Sequence, residues 1–309
     1  MGGLWSELAK KLAEKWLSLL VLPGAFYLAV AGAALTLGHG HALDVGLLAH
    51  KITSYAKNPT VTATGGEVVL LVAILAGAAA VGLVAQTVGT FVEHVALAVE
   101  WDTWPRPVRQ LARWSVARRK RRWDTAETIY NREFRKMLAP DPADRPDSAL
   151  RHRAARTRTR VAVERPERPT WSGDRVHAAA VRLDRDHHLD LATVWPSVWL
   201  ILPDSIRDQI TDARTALARA TTLAAWSVLY SVLTVWWWPA ALVGVVAAAT
   251  ARHRIHTATD AYATLLETAT RLNAVYLATQ LGIDHTGPLT PHLGHVLTRH
   301  LGSRRPSAD

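Results

Sequence analysis

The densest group of potential metal ligands in this sequence lies in one short segment. It contains Asp184, Asp186, His187, His188 and Asp190. On a helix, residues four positions apart share a face, so Asp184 would stand beside His188, and Asp186 beside Asp190. Carboxylate oxygens and an imidazole nitrogen could then bind a divalent cation or serve a membrane-bound enzyme. The same residues are typical of a polar turn before an apolar segment, which is the interpretation that we favour.

Other kinds of catalytic chemistry find little support in the sequence. The chain has no Cys, which excludes disulfides, thiolate metal sites, iron–sulfur clusters and a Cys nucleophile. It contains no Walker loop, Rossmann fingerprint, His-Glu-x-x-His zinc motif or nucleophile elbow. We therefore predict no catalytic residue, no cofactor and no metal site.

A second chemically active group is cationic and uninterrupted by any acid. Its eight members are Arg106, Arg109, Arg113, Arg118, Arg119, Lys120, Arg121 and Arg122. Because the run begins just after an apolar segment, we expect it to bind anionic lipid headgroups. Each basic group near such a surface contributes about 1 kcal/mol, and less at high salt. The alternatives are a solvated face that serves only as an orientation signal, and nucleic-acid binding, for which no known module pattern is present.

The acidic segment and the basic run are positioned by the helices around them, and three runs without charged side chains indicate the longest of these. They cover residues 17–37, 68–92 and 220–251. A helix rises about 1.5 Å per residue, so the last run would reach roughly 48 Å, against roughly 30 Å of hydrocarbon. We predict that it bends near Pro239 into two short spans, which gives four spans in total. The alternatives are three spans and, for the first run, a cleaved signal peptide.

The distribution of charge orients these spans. Basic residues precede the first span, follow the second, precede the third and follow the fourth, whereas residues 38–67 are neutral overall. Residues 93–219 carry 25 basic and 18 acidic side chains, which is most of the net charge of +10. Because short cytoplasmic loops carry an excess of Lys and Arg, all four basic groups are satisfied only if both termini are cytoplasmic.

Tryptophan and small residues fit the same arrangement. Indole rings favour membrane interfaces, where the ring is apolar and the N–H stays hydrated. The predicted interface anchors are Trp16, Trp101, Trp104, Trp236, Trp237 and Trp238. Small residues repeat every four positions in several spans, which predicts close helix packing. The stripes are Ala25, Ala29 and Ala33 in the first span, Ala73 with Gly77, Ala78 with Gly82 and Ala85 with Gly89 in the second, and Ala240, Gly244 and Ala248 in the fourth.

The predicted fold is an all-α integral membrane protein with about four transmembrane helices in two hairpins and a mostly helical, basic cytoplasmic region. The predicted segments are an interfacial amphipathic helix (1–15), a first transmembrane hairpin (16–92) with an external loop (38–67), a basic juxtamembrane helical segment (93–138), a Pro/Arg-rich linker (139–173), a cytoplasmic helical segment (174–219), a second transmembrane hairpin (220–254) and a C-terminal cytoplasmic helix and tail (255–309).

The function that follows is a non-enzymatic, membrane-anchored interaction protein. Its basic cytoplasmic module would bind anionic lipid and a protein partner. The Ala-rich and Arg-rich composition is typical of a GC-rich bacterial genome, so we expect the bacterial inner membrane. The alternatives are an oligomeric pore or membrane-perturbing effector, and a membrane-bound enzyme of unknown class. Partners in these hypotheses are lipids, a protein or further copies of the chain, whereas nucleic acid is disfavoured.

Overall fold

The computed structural model describes residue 7 and residues 21–56, 64–137 and 148–302. This part of the chain contains ten α-helices and no strand, which confirms the all-α prediction for these residues. The helices are α1 (Leu22–Leu37), α2 (Val45–Ala56), α3 (Thr64–Leu97), α4 (Arg106–Met137), α5 (Ser148–Val161), α6 (Trp171–His187), α7 (Leu191–Ile201), α8 (Asp204–Leu233), α9 (Pro239–Gln280) and α10 (Pro291–Gly302). A 3-10 turn, Trp101–Thr103, lies between α3 and α4.

Two long helices divide the last uncharged run at the predicted position. Helix α8 ends at Leu233 and α9 begins at Pro239. Between them the chain turns, and the backbone N–H of Trp237 donates to the carbonyl oxygen of Leu233 at 3.0 Å. Proline suits the first position of a helix because its missing N–H would have no partner there. The predicted division of this run into two helical segments is confirmed.

The outer ends of α8 and α9 also follow from the sequence. Helix α8 begins at Asp204, directly after Pro203, as a helix start signal predicts. Helix α9 ends at Gln280, and Gly282 has a φ of 69°, in the left-handed region that glycine adopts at low cost. Both predicted helices therefore continue well beyond the uncharged run.

The chain forms two compact units. Unit 1 takes its described residues from Met1–Val92 and Ala218–His253, and unit 2 takes its described residues from Glu93–Leu217 and Arg254–Asp309. The boundaries between the units fall inside α3, α8 and α9.

Helices of unit 1 pack through small residues. Along α3 the buried positions include Ala78, Gly82, Ala85 and Gly89, which lie on one side of the helix. Gly24 of α1 approaches this stripe so closely that an added Cβ would overlap the carbonyl oxygen of Ala78. Two of the three small-residue pairs predicted for α3 are therefore packed, whereas Ala73 is exposed and Gly77 only partly buried. Small residues are needed at the packed positions because only they let two backbones approach this closely.

The other helix pairs of unit 1 use the same kind of contact. A Cβ at Gly89 would lie 3.0 Å from the Cα of Thr222 in α8. A Cβ at Gly244 of α9 would lie 3.0 Å from the Oγ of Ser231. On α1, however, the buried small residues are Gly24 and Ala34 rather than the predicted alanine stripe. In an alanine-rich helix several faces carry small residues, so spacing alone does not single out the packed one.

Large apolar side chains of unit 1 lie on its outside. Two helices of the described chain are long and apolar enough to cross a membrane, namely Val68–Leu97 within α3 and Asp204–Leu233. The described part of the first predicted span, α1, has 16 residues, and the fourth predicted span is not among the two. Exposed large side chains include Leu22, Phe26, Leu35, Val69, Leu71, Leu83, Phe91, Val235, Leu242, Val245 and Val246.

Unit 2 has the opposite arrangement, with branched side chains inside. Its core is built from α6, α7, α10 and the parts of α8 and α9 that belong to this unit. Fully or nearly fully buried members are Leu183, Leu189, Val194, Val198, Leu202, Ile210, Leu277, Leu293 and Leu297. At about 25 cal/mol per Å² of buried apolar area, such a cluster is the main source of stability of a water-exposed domain.

Two segments differ from the sequence-based picture. The neutral loop contains helix α2, whose first turn is capped by Asp44, which accepts from the N–H of Leu47 at 2.9 Å. Helix α5 lies within the segment read as a linker. The predicted amphipathic helix at 4–16, apart from residue 7, lies outside the described residues.

Candidate functional site: a basic helical hairpin

Helix α4 is favoured by its many Arg residues and by its Ala and Lys residues, which all have high helix propensity. Its buried side carries Ala112, Val116 and Ala126. Trp123 and Tyr130 lie half-buried along the same side. Arg106, Arg113, Arg118, Arg121 and Arg122 are exposed, so α4 is amphipathic with a cationic outer face.

Helix α5 packs against the second half of α4. The guanidinium of Arg158 lies 4.9 Å from the ring centroid of Tyr130 and forms an ion pair of 2.9 Å with Glu127. The Nε1 of Trp123 donates to the carbonyl oxygen of Ala162 at 3.2 Å. We refer to α4 and α5 together as the basic hairpin. Among the described side chains, a cation over an aromatic face, an ion pair and an indole hydrogen bond join its two helices.

The acidic residues of α4 are all engaged in ion pairs. Asp124 pairs with Arg165 at 3.1 Å, and Glu127 pairs with Arg158. Glu133 pairs with Lys136 at 2.9 Å. The hydrogen bond with Asp124 raises the pKa of Arg165. No carboxylate of α4 therefore remains to neutralise the other cations on its surface.

The structure places the eight predicted headgroup-binding residues in three different settings. The Arg119 guanidinium turns inward, where it contacts Asp174. Arg109 donates to the carbonyl oxygen of Asp102 at 3.3 Å, and Arg118 lies 5.3 Å from the ring centroid of Trp114. The other five have no ion pair with any described residue, and they are Arg106, Arg113, Lys120, Arg121 and Arg122.

The far end of α4 extends the cationic surface. A shallow depression of about 520 Å³ is lined there by Thr128, Arg132, Arg135 and Lys136. Among the described residues, neither Arg132 nor Arg135 pairs with a carboxylate. The excess of positive charge therefore runs from the first turn of α4 to its last.

Asp174 organises the loop that fixes α4 within unit 2. Its Oδ2 accepts from Nε and Nη2 of Arg119, at 3.2 and 2.6 Å. Its Oδ1 accepts from the backbone N–H groups of Glu167 and Arg168, at 2.8 and 2.7 Å. Arg119 also donates to the carbonyl oxygen of Val161 at 2.9 Å. The Asp174 side chain is only 5 % exposed, and four donors compensate its burial.

The same loop closes the carbonyl end of α3. The hydroxyl of Thr170 donates to the carbonyl oxygen of Ala96 at 2.5 Å. The Nη1 of Arg168 donates to the carbonyl oxygens of Ala98, at 2.6 Å, and of Val99. These donors satisfy carbonyl groups that a helix end leaves without partners. Residues 162–170 together with Asp174 are called the Asp174 loop below.

The predicted interface tryptophans lie in different settings. Trp101 begins the 3-10 turn, and Trp104 follows it directly. In unit 1, Trp236 and Trp238 are each 46 % exposed. Trp237 packs on the cluster of Tyr230, Leu233 and Ala240, and its Nε1 donates to the carbonyl oxygen of Ala42 at 2.8 Å. Trp16 lies outside the described residues.

The Asp184–Asp190 segment serves as a helix boundary. Asp190 is the N-cap of α7 and accepts from the N–H of Ala192 at 3.2 Å. His188 takes the left-handed conformation at the end of α6, with a φ of 52°. Asp186 hydrogen-bonds Arg185 at 3.0 Å, which lowers the pKa of the Asp186 carboxyl. Across the described ranges no three His, Asp or Glu side chains converge as metal ligands would.

The contacts of the Asp174 loop are not predicted from the sequence. The loop contains Arg165-Pro-Glu-Arg-Pro169, which is typical of irregular chain, and its contacts with α3 and α4 are distant in sequence. One local signal is present, because Thr170 caps α6 by accepting from the N–H of Gly173 at 3.1 Å. An N-cap Thr followed by Asp174 in the first turn is a helix start pattern.

Comparisons with known proteins add no further information. No protein-family model, no curated protein and no solved structure matches this chain.

Proposed function

We propose that this chain is a membrane-anchored, non-enzymatic interaction protein whose basic hairpin binds anionic lipid headgroups and presents unit 2 to a protein partner at the inner leaflet. One observation carries the proposal. The outer face of α4 holds cations without carboxylate partners, while every acid of the same helix is already paired.

The anchor is unit 1. Its interior combines glycine and alanine contacts with a small cluster around Tyr230 and Leu233, while many Leu, Val, Ile and Phe side chains lie on its exterior. Only 17 % of the apolar window in Val68–Leu97 is buried. A contiguous apolar surface of this kind marks contact with lipid or protein. Four spans, with both termini cytoplasmic, remain the arrangement that the charge pattern favours.

Headgroup binding is favoured over a merely solvated face by the size of the expected effect. Five unpaired cations of α4, at about 1 kcal/mol each near an anionic surface, would contribute about 5 kcal/mol at low salt. That is a factor of several thousand in a partition coefficient. The basic run also lies close in sequence to the apolar helix, because Arg106 follows Leu97, the last residue of α3, by only nine residues.

Two observations bear on the alternatives. Of the small residues that motivated an oligomeric pore, Ala78, Gly82, Ala85, Gly89, Ala240 and Gly244 are buried within unit 1, whereas Ala29, Ala73 and Ala248 are exposed. Of the acidic and histidine residues that motivated an enzyme, His188 and Asp190 cap helices α6 and α7, and Asp186 pairs with Arg185 and Arg271. Both alternatives stay predictions, without a specific contact that favours them.

The test is lipid retention by the full chain. We would reconstitute it into vesicles of equal zwitterionic and anionic lipid, extract it in mild detergent and quantify the lipid that co-purifies. The test variant changes Arg113, Lys120, Arg121 and Arg122 to Gln. The control variant removes the same charge elsewhere, with Arg185, Arg207, Arg271 and Arg299 changed to Gln.

We expect the parent and the control to retain anionic lipid in excess of the zwitterionic lipid, and the test variant to lose that excess. Equal loss in both variants would mean that net charge alone accounts for the retained anionic lipid, and would contradict a specific role of the basic hairpin. Unchanged retention in the test variant would contradict lipid binding by α4 altogether.

A further inference from the structure

The first turns of α4 carry an exposed apolar ridge. Val108, Leu111 and Trp114 are 43, 68 and 63 % exposed. They are spaced three residues apart, so their side chains follow one another along one side of the helix. Val108 lies one turn before the buried Ala112 and Val116, whereas Leu111 and Trp114 project beside this packed row, and unit 2 leaves all three ridge side chains exposed.

Cations surround this ridge. Arg113 precedes Trp114, and Arg118 lies over the Trp114 ring at 5.3 Å. Arg121 and Arg122 follow one turn later on the outer face. An apolar strip within a cationic face matches a surface that is anionic at its boundary and apolar beneath, as the headgroup and acyl layers of a bilayer are. A protein groove lined by acids would match the charges but would not require Trp at the edge of the strip.

The chain limits how far the ridge can travel from the end of the apolar helix. Leu111 follows Leu97 by fourteen residues, part of which form the compact 3-10 turn. Even a fully extended chain of that length would reach no more than about 50 Å. The chain therefore tethers the ridge within about 50 Å of the end of α3.

We infer that the Val108–Leu111–Trp114 ridge inserts into the interface between headgroups and acyl chains of an anionic leaflet, with the flanking cations binding phosphate groups. This inference rests on the proposed function and specifies how the same helix binds lipid. With the ridge inserted, the first turns of α4 lie in the plane of the membrane interface. Beyond Arg118, α4 is a charged helix at the membrane surface.

The chain is suited to a depth measurement because it contains no Cys. A nitroxide label attached to Leu111→Cys reports on the ridge. A label on Gln110→Cys is the matched control, since Gln110 is also exposed, lies at the same height along α4 and projects from another side. Both labelled full-length proteins are reconstituted into anionic and into purely zwitterionic vesicles. Accessibility to oxygen, which concentrates in the bilayer, is compared with accessibility to a water-soluble nickel chelate.

In anionic vesicles we expect the label at position 111 to favour oxygen over nickel, and the label at 110 to favour nickel. In zwitterionic vesicles the preference at 111 should be lost, because the cations no longer hold the helix at the surface. A preference at 111 that is equal in both lipids would overturn the assignment to an anionic leaflet. A label at 111 that is shielded from both reagents would mean that protein covers the ridge, and would also overturn it.

Two combinations of results separate this inference from the proposed function. If position 111 stays open to nickel in anionic vesicles while the four-Gln variant still loses its anionic lipid, headgroup binding stands and insertion is wrong. If that variant keeps its lipid and position 111 nevertheless favours oxygen only in anionic vesicles, insertion of the ridge is supported and headgroup binding by those four cations is wrong.

Discussion

Arg119 and Asp174 form a buried ion pair that joins the basic hairpin to the loop that closes α3. Two guanidinium nitrogens reach one carboxylate oxygen, and the other oxygen binds two backbone N–H groups. One cation of the basic run is thereby withdrawn from the surface. Its role is to position the helix on which the others lie, because the pair fixes the middle of α4.

Removal of this carboxylate should destabilise unit 2. The change Asp174→Ala leaves Arg119 and two backbone donors without their acceptor, which for a buried pair costs about 3 kcal/mol or more. Thermal unfolding measures the loss. Asp124→Ala, which breaks an exposed pair on the same helix, is the control and should have little effect. Adding Arg119→Met to Asp174→Ala should recover part of the loss, and strict additivity of the two changes would contradict direct coupling.

A methyl group at Gly24 should separate α1 from α3. The added Cβ would overlap the Ala78 carbonyl, so one of the two backbones must move. Gly32→Ala is the matched control on the same helix, because its Cβ would meet nothing within 4 Å. We expect a lower melting temperature in detergent for Gly24→Ala, and no loss for Gly32→Ala. Equal melting temperatures would contradict the close approach.

The three adjacent tryptophans should not be equivalent. Trp237→Phe removes the hydrogen bond to the Ala42 carbonyl and should cost about 1 kcal/mol. Trp238→Phe changes an exposed ring and should cost less. The free energy of unfolding in nanodiscs measures both. A larger effect at position 238 would show that its indole N–H has an interface role that the protein contacts do not reveal.

Asp186 should make a small, pH-dependent contribution to the stability of unit 2. Its pKa is lowered in the folded state, first by the hydrogen bond from Arg185 and then by the charges of Arg185 and Arg271. The contribution is therefore complete above the unfolded pKa of about 3.9 and is lost as the pH falls through the lower folded value. Asp186→Asn should be slightly less stable than the parent at neutral pH, and the difference should vanish in acid. A difference that persists below both pKa values would contradict this origin.

Topology can be read directly with reporter fusions. Fusions after residues 60, 160, 238 and 309 should report outside, inside, outside and inside, because the four basic groups all favour the cytoplasm. Three spans would reverse the result at 309. An outside result at 160 would reject the placement of the basic hairpin at the inner leaflet.

The features that the sequence predicts are those that depend on the periodicity of side chains and on the placement of charge. The bend before Pro239, the course of α8 from Asp204 and the stop near Gly282 all follow from local signals. The small-residue stripe of α3 follows from its four-residue spacing. These features depend on residues close together in the chain, so a single sequence contains their cause.

The features missed depend on contacts between distant segments. The contacts of Arg158 in helix α5 with Tyr130 and Glu127 join it to another helix, and the spacing of residues within α5 does not indicate them. The inward turn of Arg119 is equally hidden, because it lies among seven similar cations and only Asp174, 55 residues away, distinguishes it. The exposed ridge on α4 is visible only when the packed side of the helix is known.

The closure of α3 by the Asp174 loop has a further consequence for backbone solvation. A helix that ends at a bilayer surface normally relies on water for its last carbonyl groups, so hydration fixes the depth at which it can stop. Here Arg168 and Thr170 supply donors from the protein itself. The Arg168 charge also offsets the negative end of the helix dipole. The Ala96 carbonyl in the last turn of α3 and the Ala98 and Val99 carbonyls just beyond it therefore have donors within the protein and do not depend on water.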